Sequence, residues 1–102
     1  MTVEVGLFRI VPARFDEFGP VAEDIRAAFA RGDIPGLRAF HMAPALEDSG
    51  RWAVLVEWES VLDHGRFVDS LEGRRQRSLL ANFMIGDAEV FHLSLDSVLV
   101  PS

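Results

Sequence analysis

The sequence contains no cysteine, no lysine and no tyrosine. Without cysteine, disulfides, thiolate nucleophiles and thiolate metal sites are excluded. Without lysine there is no side-chain amine for Schiff-base chemistry, and without tyrosine there is no phenolic acid or base. Positive charge is scarce: the 10 basic residues are all arginine and face 16 acidic ones, a net charge of −6. A negative field repels phosphate backbones, so nucleic acid is not an expected partner. No apolar run reaches the roughly 18 residues of a membrane span, and no membrane association is expected. The start shows no basic stretch leading into an apolar core and a small-residue cleavage site. Together with the missing cysteine, this favours a cytoplasmic location. No glycine cluster leads from a strand into a helix, so there is no phosphate-cradling loop. No internal repeat and no low-complexity segment is visible.

What is present fits one folded unit. The 102 residues are 49% apolar and 25% charged, close to the average for a globular domain, and residues 1–102 are read as a single domain. Val3 to Val11 is rich in β-formers and reads as a first strand. Val3, Val5 and Leu7 take one face of it, and Gly6, Phe8 and Ile10 the other. Pro12 suits a helix start. Phe15, Phe18, Ala22, Ile25 and Phe29 then recur along one helical face. Gly19-Pro20 interrupts that pattern and predicts a kink or a later start, and Gly32 is a stop signal. Beyond the loop Asp33–Gly36, Leu37 to Ala45 and Arg51 to Glu59 read as strands joined by the turn Glu47-Asp48-Ser49-Gly50. In the second of them Trp52, Val54, Val56 and Trp58 share a face. Ser60 followed by Asp63 resembles a capping box and opens a helix from about Val61 to Leu71. Gly73 is expected to break or bend it, with Arg74 to Phe83 a second helical piece. Gly86-Asp87 is a turn, Ala88 to Leu95 the last strand, and Ser97 to Ser102 a short apolar-tipped tail.

This order is β-α-β, a hairpin, then β-α-β. Right-handed crossovers place the helices on one face of a four-stranded antiparallel sheet. The other face, if open to water, should alternate to polar residues, and it does not. The first strand is apolar on both sides, and the last offers Phe91, Leu93 and Leu95 on one side. A chain of this length has no second layer to spare, so a homodimer with sheet faces together is the expected solution.

The stretch Trp58-Glu59-Ser60-x-x-Asp63-His64-x-x-Phe67-x-x-Ser70, followed by Val90-x-His92, resembles the antibiotic biosynthesis monooxygenase domain family. Pro35-Gly36 before the second strand and Phe15–Phe18 at the first helix are similar to that family too, and the resemblance covers about residues 3 to 95. It implies a ferredoxin-like α+β domain, βαββαβ, that pairs through its sheets as a dimeric α+β barrel. Some members oxygenate aromatic polyketides without metal or flavin, and others degrade haem. In the oxygenases a pocket between sheet and helices is lined by a Trp on strand three, an Asn four residues before it and a polar ring-bearing residue on the next helix. Here Trp58 matches the Trp, Val54 stands in place of the Asn, and His64 stands where a Tyr is found. Arg77 stands near the place of the iron-ligating His of the haem-degrading branch. The implied activity is that of a cofactor-independent monooxygenase on an aromatic or quinone-like small molecule. The alternative is a non-catalytic homodimer that binds small apolar molecules or serves as an accessory protein.

His64 is the leading catalytic candidate. Val61, His64, Val68 and Leu71 recur at helical spacing and are expected to face the sheet, which sets His64 against the Trp58 face. An imidazole titrates near pH 6.5 and can take a proton from a phenol or hydroquinone. The same position also suits a histidine satisfied by a carbonyl or a nearby acid. Trp58 and Trp52 suit either an aromatic ligand wall or plain core packing. Val54, Phe67 and His92 complete the ligand-contacting candidates, although His92 also suits a place among backbone carbonyls at the strand end. His41 faces either the pocket or the dimer seam. With no cysteine and no closely spaced histidine pair, no metal site is expected. Glu57 and Glu59 are expected to be exposed or paired with arginine rather than to form a glycosidase pair. Arg74, Arg75 and Arg77 read as a solvated helix face or a docking point for an anionic group.

Overall fold

A computed structural model describes residues 1–95; the expected tail Ser97–Ser102 lies outside the described residues. The elements are β1 (Thr2–Arg9), α1 (Phe15–Ala30), β2 (Leu37–Pro44), β3 (Arg51–Trp58), α2 (Val61–Asp69), α3 (Leu71–Ala81) and β4 (Glu89–Ser94), with a short 3-10 turn at Pro12–Arg14. The strands form one antiparallel sheet in the order β2-β3-β1-β4. This is the α+β, ferredoxin-like arrangement expected. Among the described residues no helix is long and apolar enough to cross a membrane.

Register sets which side chains share a face. Thr2, Glu4, Gly6 and Phe8 of β1 stand opposite Trp58, Val56, Val54 and Trp52 of β3. On the other side of β1, Glu4 meets His92 and Gly6 meets Val90 of β4. All of these lie on the face that the helices cover. The core gathers at one end of that face, where Phe8, Ile10 and Met42 from the strand segments pack on Phe18, Ala22 and Ile25 of α1 and on Phe83. Phe18 lies edge-on to Trp52 at a centroid distance of 4.9 Å.

The helices depart from the sequence reading in two places. Pro20 neither ends nor delays α1, which runs from Phe15 to Ala30 with Pro20 inside it. A proline φ is helical, so the loss is confined to one backbone bond and local crowding. Buried Phe18, Ala22 and Ile25 flank Pro20 and supply the packing that holds the helix.

The second difference lies between α2 and α3. The break falls at Ser70, not at Gly73. Ser70 has extended backbone, its amide and hydroxyl both donate to the Phe67 carbonyl, and its Oγ accepts from the Gly73 amide. One residue thus closes α2 and caps α3. Gly73 sits inside α3 because a side chain there would collide with the Phe67 carbonyl. The expected stripe on α2 also fails in part: Val61 is 51% exposed and Leu71 83% exposed. A helix of nine residues lying beside the sheet turns only its central side chains inward, and His64 and Phe67 are those.

Among the described residues nothing covers the opposite sheet face. Leu55 is 43% exposed, and Phe91 and Leu93 are each 40% exposed. His41 is on this face too, opposite Leu55 in register and 3.8 Å from the Glu57 carboxylate. Glu59 pairs with Arg38 at 2.9 Å, the arginine partnership expected of it.

Candidate active site

Trp58 ends β3 and is 1% exposed. The next residues turn the chain directly into α2. Ser60, extended in backbone, accepts from the Asp63 amide and donates its hydroxyl to Asp63 Oδ2 at 2.9 Å. The turn is locked from the other side by the loop before β2, where Gly36 accepts from the Glu59 amide. Gly36 has φ +78°, and a side chain there would overlap Asp63; glycine satisfies both demands. This junction delivers His64 one helical turn later, over the Trp58 ring. The two rings are 5.4 Å apart and inclined by 22°.

Both polar tips converge on one carboxylate. Trp58 Nε1 donates to Glu4 Oε1 at 3.0 Å, and His64 Nε2 lies 3.2 Å from the same oxygen. His64 Nδ1 is 2.7 Å from His92 Nε2. Glu4 and His64 are mostly buried, whereas His92 is exposed. A carboxylate only accepts, so neutral His64 carries its proton on Nε2 and accepts from His92 at Nδ1. Burial lowers the His64 pKa below 6.5; the Glu4 carboxylate opposes this, and His92 adds to the lowering. The shift favours the neutral imidazole.

These groups form one corner of a cavity of about 680 Å³ between the sheet and the helices. Gly6 and Val54 make part of its floor, Phe40 and Met42 extend it across β2, and Phe67 closes it from α2. Gln76 and Arg77 of α3 also line it. The remaining walls are largely apolar, the usual lining of a site for a flat organic molecule.

The structure brings together Trp58, His64, Val54 and Phe67 at this cavity, with His92 joined to it through His64. It does not bring in Trp52, which packs on Phe18 and lines a separate cleft beside the β2–β3 hairpin. His92 does not sit among strand-end carbonyls; its ring turns to His64. Two groups of the cavity escaped the sequence reading. Glu4 had a usable signal: it is the one charge on the strand face shared by Gly6 and Phe8. Gln76 had none, since its role depends on burial. Among the described residues no group of three or more histidines and carboxylates is placed to hold a metal ion.

Neither a protein-family model nor a curated protein matches the chain. Solved structures do. A Bordetella bronchiseptica protein assigned provisionally to the antibiotic biosynthesis monooxygenases superposes with a TM-score of 0.79 at 23% identity, over 96% of this chain and 97% of that one. A Deinococcus radiodurans protein of the same provisional assignment gives 0.80 at 12%, over 100% and 99%. SnoaB of Streptomyces nogalater, a cofactor-independent oxygenase with one asparagine replaced by alanine, gives 0.77 at 17%, over 96% and 95%. At these identities the likeness is one of fold. The Bordetella and Deinococcus neighbours carry the name of the family that the motif around Trp58 resembles, and the chain has the fold of the antibiotic biosynthesis monooxygenases.

Proposed function

We propose that this protein is a cofactor-independent monooxygenase for an aromatic or quinone-like small molecule, with His64 as proton acceptor and Trp58 as the buried ring that holds His64 and Glu4 in place. The observation that carries the reading is the cavity of about 680 Å³ whose buried His–carboxylate corner lies against Trp58. Glu4 fixes the His64 tautomer and stabilises the imidazolium formed when Nδ1 takes a proton. The substrate hydroxyl competes with His92 for that nitrogen. The resulting anion passes one electron to dioxygen, and the substrate radical and superoxide join as a peroxide. His64 returns its proton to the peroxide, and loss of water leaves a carbonyl. In sum a ring methylene and dioxygen become a ring carbonyl and water, so no outside reductant is consumed.

The uncovered apolar sheet face supports a homodimer in which two such faces meet, each subunit keeping its own cavity. A second reading, a non-catalytic binder, is favoured by Val54, which offers no polar group to a developing oxyanion, and by the internal partners of both His64 nitrogens. Oxygen uptake with a panel of anthrones and quinols separates the two. Turnover by the wild type that falls at least about a hundredfold in His64→Ala supports the oxygenase. Binding of these compounds without oxygen uptake supports the binder.

A further inference from the structure

Gly6 stands in the middle of β1, an inner strand with β3 on one side and β4 on the other. Glycine weakens a strand interior, and it is usually kept there for a bulge, a positive φ, a close backbone approach or a ligand. The first three do not apply. The register of β1 runs unbroken against both neighbours. Positive φ belongs to Gly32, Gly36 and Gly86 instead. A Cβ built on Gly6 meets, among the described residues, one atom within 4 Å: Val54 Cβ at 3.7 Å, an ordinary contact. Gly6 is buried between its neighbouring strands, yet the space on its helix side is open. That space is the cavity. Gly6 lines it together with Val54 and Val90, its register partners, and with Glu4 and Phe8, its neighbours along the same face. Glu4 and Phe8 are four residues apart, roughly 13 Å of extended strand, and no side chain stands between them on that face.

We infer that Gly6 is a specificity residue: its bare backbone is the bed on which the ring system of the bound molecule lies, long axis along β1 from the Glu4–His64 corner toward Phe8. The preferred ligand is then a flat, fused-ring aromatic with its ionisable hydroxyl at the His64 end. This inference rests on the reading of the cavity as an aromatic-ligand site and adds how the ring lies in it. Val54 and Val90 flank the ring edges, and Phe8 ends the bed. A side chain in place of Gly6 takes the volume that the ring needs. The strand accordingly gives up the stability that a β-former there would supply, a trade common where function requires open space.

The test measures affinity and stability together. A dihydroxyanthraquinone is titrated into wild type, Gly6→Ala and Gly6→Val, with quenching of tryptophan fluorescence as the readout, and each ligand-free protein is melted. Wild type is expected to bind it. Gly6→Ala is expected to bind roughly fivefold weaker, and Gly6→Val roughly a hundredfold weaker, because the added carbons occupy the place of the ring. Gly6→Ala is expected to melt roughly 2–8 °C above wild type, since alanine relieves the entropic cost of glycine and its methyl meets no clash. An affinity in Gly6→Val equal to that of wild type overturns the Gly6 assignment and leaves the aromatic site standing. No binding by wild type overturns both. A Gly6→Ala melting temperature at or below that of wild type also overturns the assignment, because the fold itself then requires the glycine. Should Gly6→Val not fold, the affinity of Gly6→Ala decides in its place.

Discussion

At the scale of single residues, His64 is the proposed proton acceptor and leaves a measurable trace in stability. Its folded-state pKa lies below the unfolded value of 6.5, chiefly through burial. The unfolded chain therefore binds the proton first as pH falls. Stability from this group is whole above about pH 6.5 and is lost as pH drops through the folded pKa. Urea unfolding compared between pH 7.5 and mildly acid buffer should show this loss, and His64→Gln should remove its share. In the proposed oxygenase reaction the same groups set the acid limb. Glu4 raises the His64 pKa, so Glu4→Gln should move the acid limb of oxygen uptake to lower pH and reduce the plateau. Removing His92, which lowers it, should move the limb upward. Trp58 is a simpler case. It is buried and holds both the His64 ring and Glu4, so Trp58→Ala should cost about 3–5 kcal/mol in chemical denaturation. The motif around Trp58 made His64 and Trp58 visible in the sequence. Glu4 stands out as the one charge on its strand face, but its meeting with Trp58 was not visible, because the two are 54 positions apart and meet only through strand register.

At the scale of elements, the α2–α3 corner shapes the cavity wall. The sequence showed an interruption near Gly73 but placed it three residues late. Glycine is a weak helix former, so it reads as a breaker; here it permits close approach of α3 to the Phe67 carbonyl, and Ser70 makes the turn. Two substitutions separate these roles. Gly73→Ala should cost roughly 1–3 kcal/mol, since the added methyl forces the corner open. Ser70→Ala should cost about 1 kcal/mol through loss of the α3 cap. Thermal melts of the two variants check both values. A larger loss in Ser70→Ala than in Gly73→Ala would contradict the division of labour. Exposed Val61 and Leu71 mark a further limit on the sequence reading. Helical periodicity says which side chains align, but the docking angle of a short helix decides how many of them touch the sheet.

At the scale of the whole molecule, the sheet has two apolar faces and, among the described residues, one layer of helices. Covering the face that carries Leu55, Phe91 and Leu93 is the proposed task of a second copy. Burial of apolar surface contributes about 25 cal/mol per Å², and a charge in the middle of such an interface opposes it. Leu55→Glu should convert a dimeric wild type into monomers in sedimentation at micromolar concentration. A wild type that sediments as a stable monomer would count against sheet pairing.

The sequence by itself determined the order of elements, the antiparallel α+β sheet and the two apolar faces. These follow from alternation and helical spacing, which are local properties of the chain and are imposed by backbone geometry. Only the tertiary structure decided which polar atoms meet. It joined Glu4, Trp58, His64 and His92 in one corner, sent Trp52 to another cleft, and left the Gln76 oxygen buried without a partner among the described residues. Hydrogen bonds and desolvation depend on distances of a few ångströms between groups far apart in the chain, and no local pattern encodes those distances.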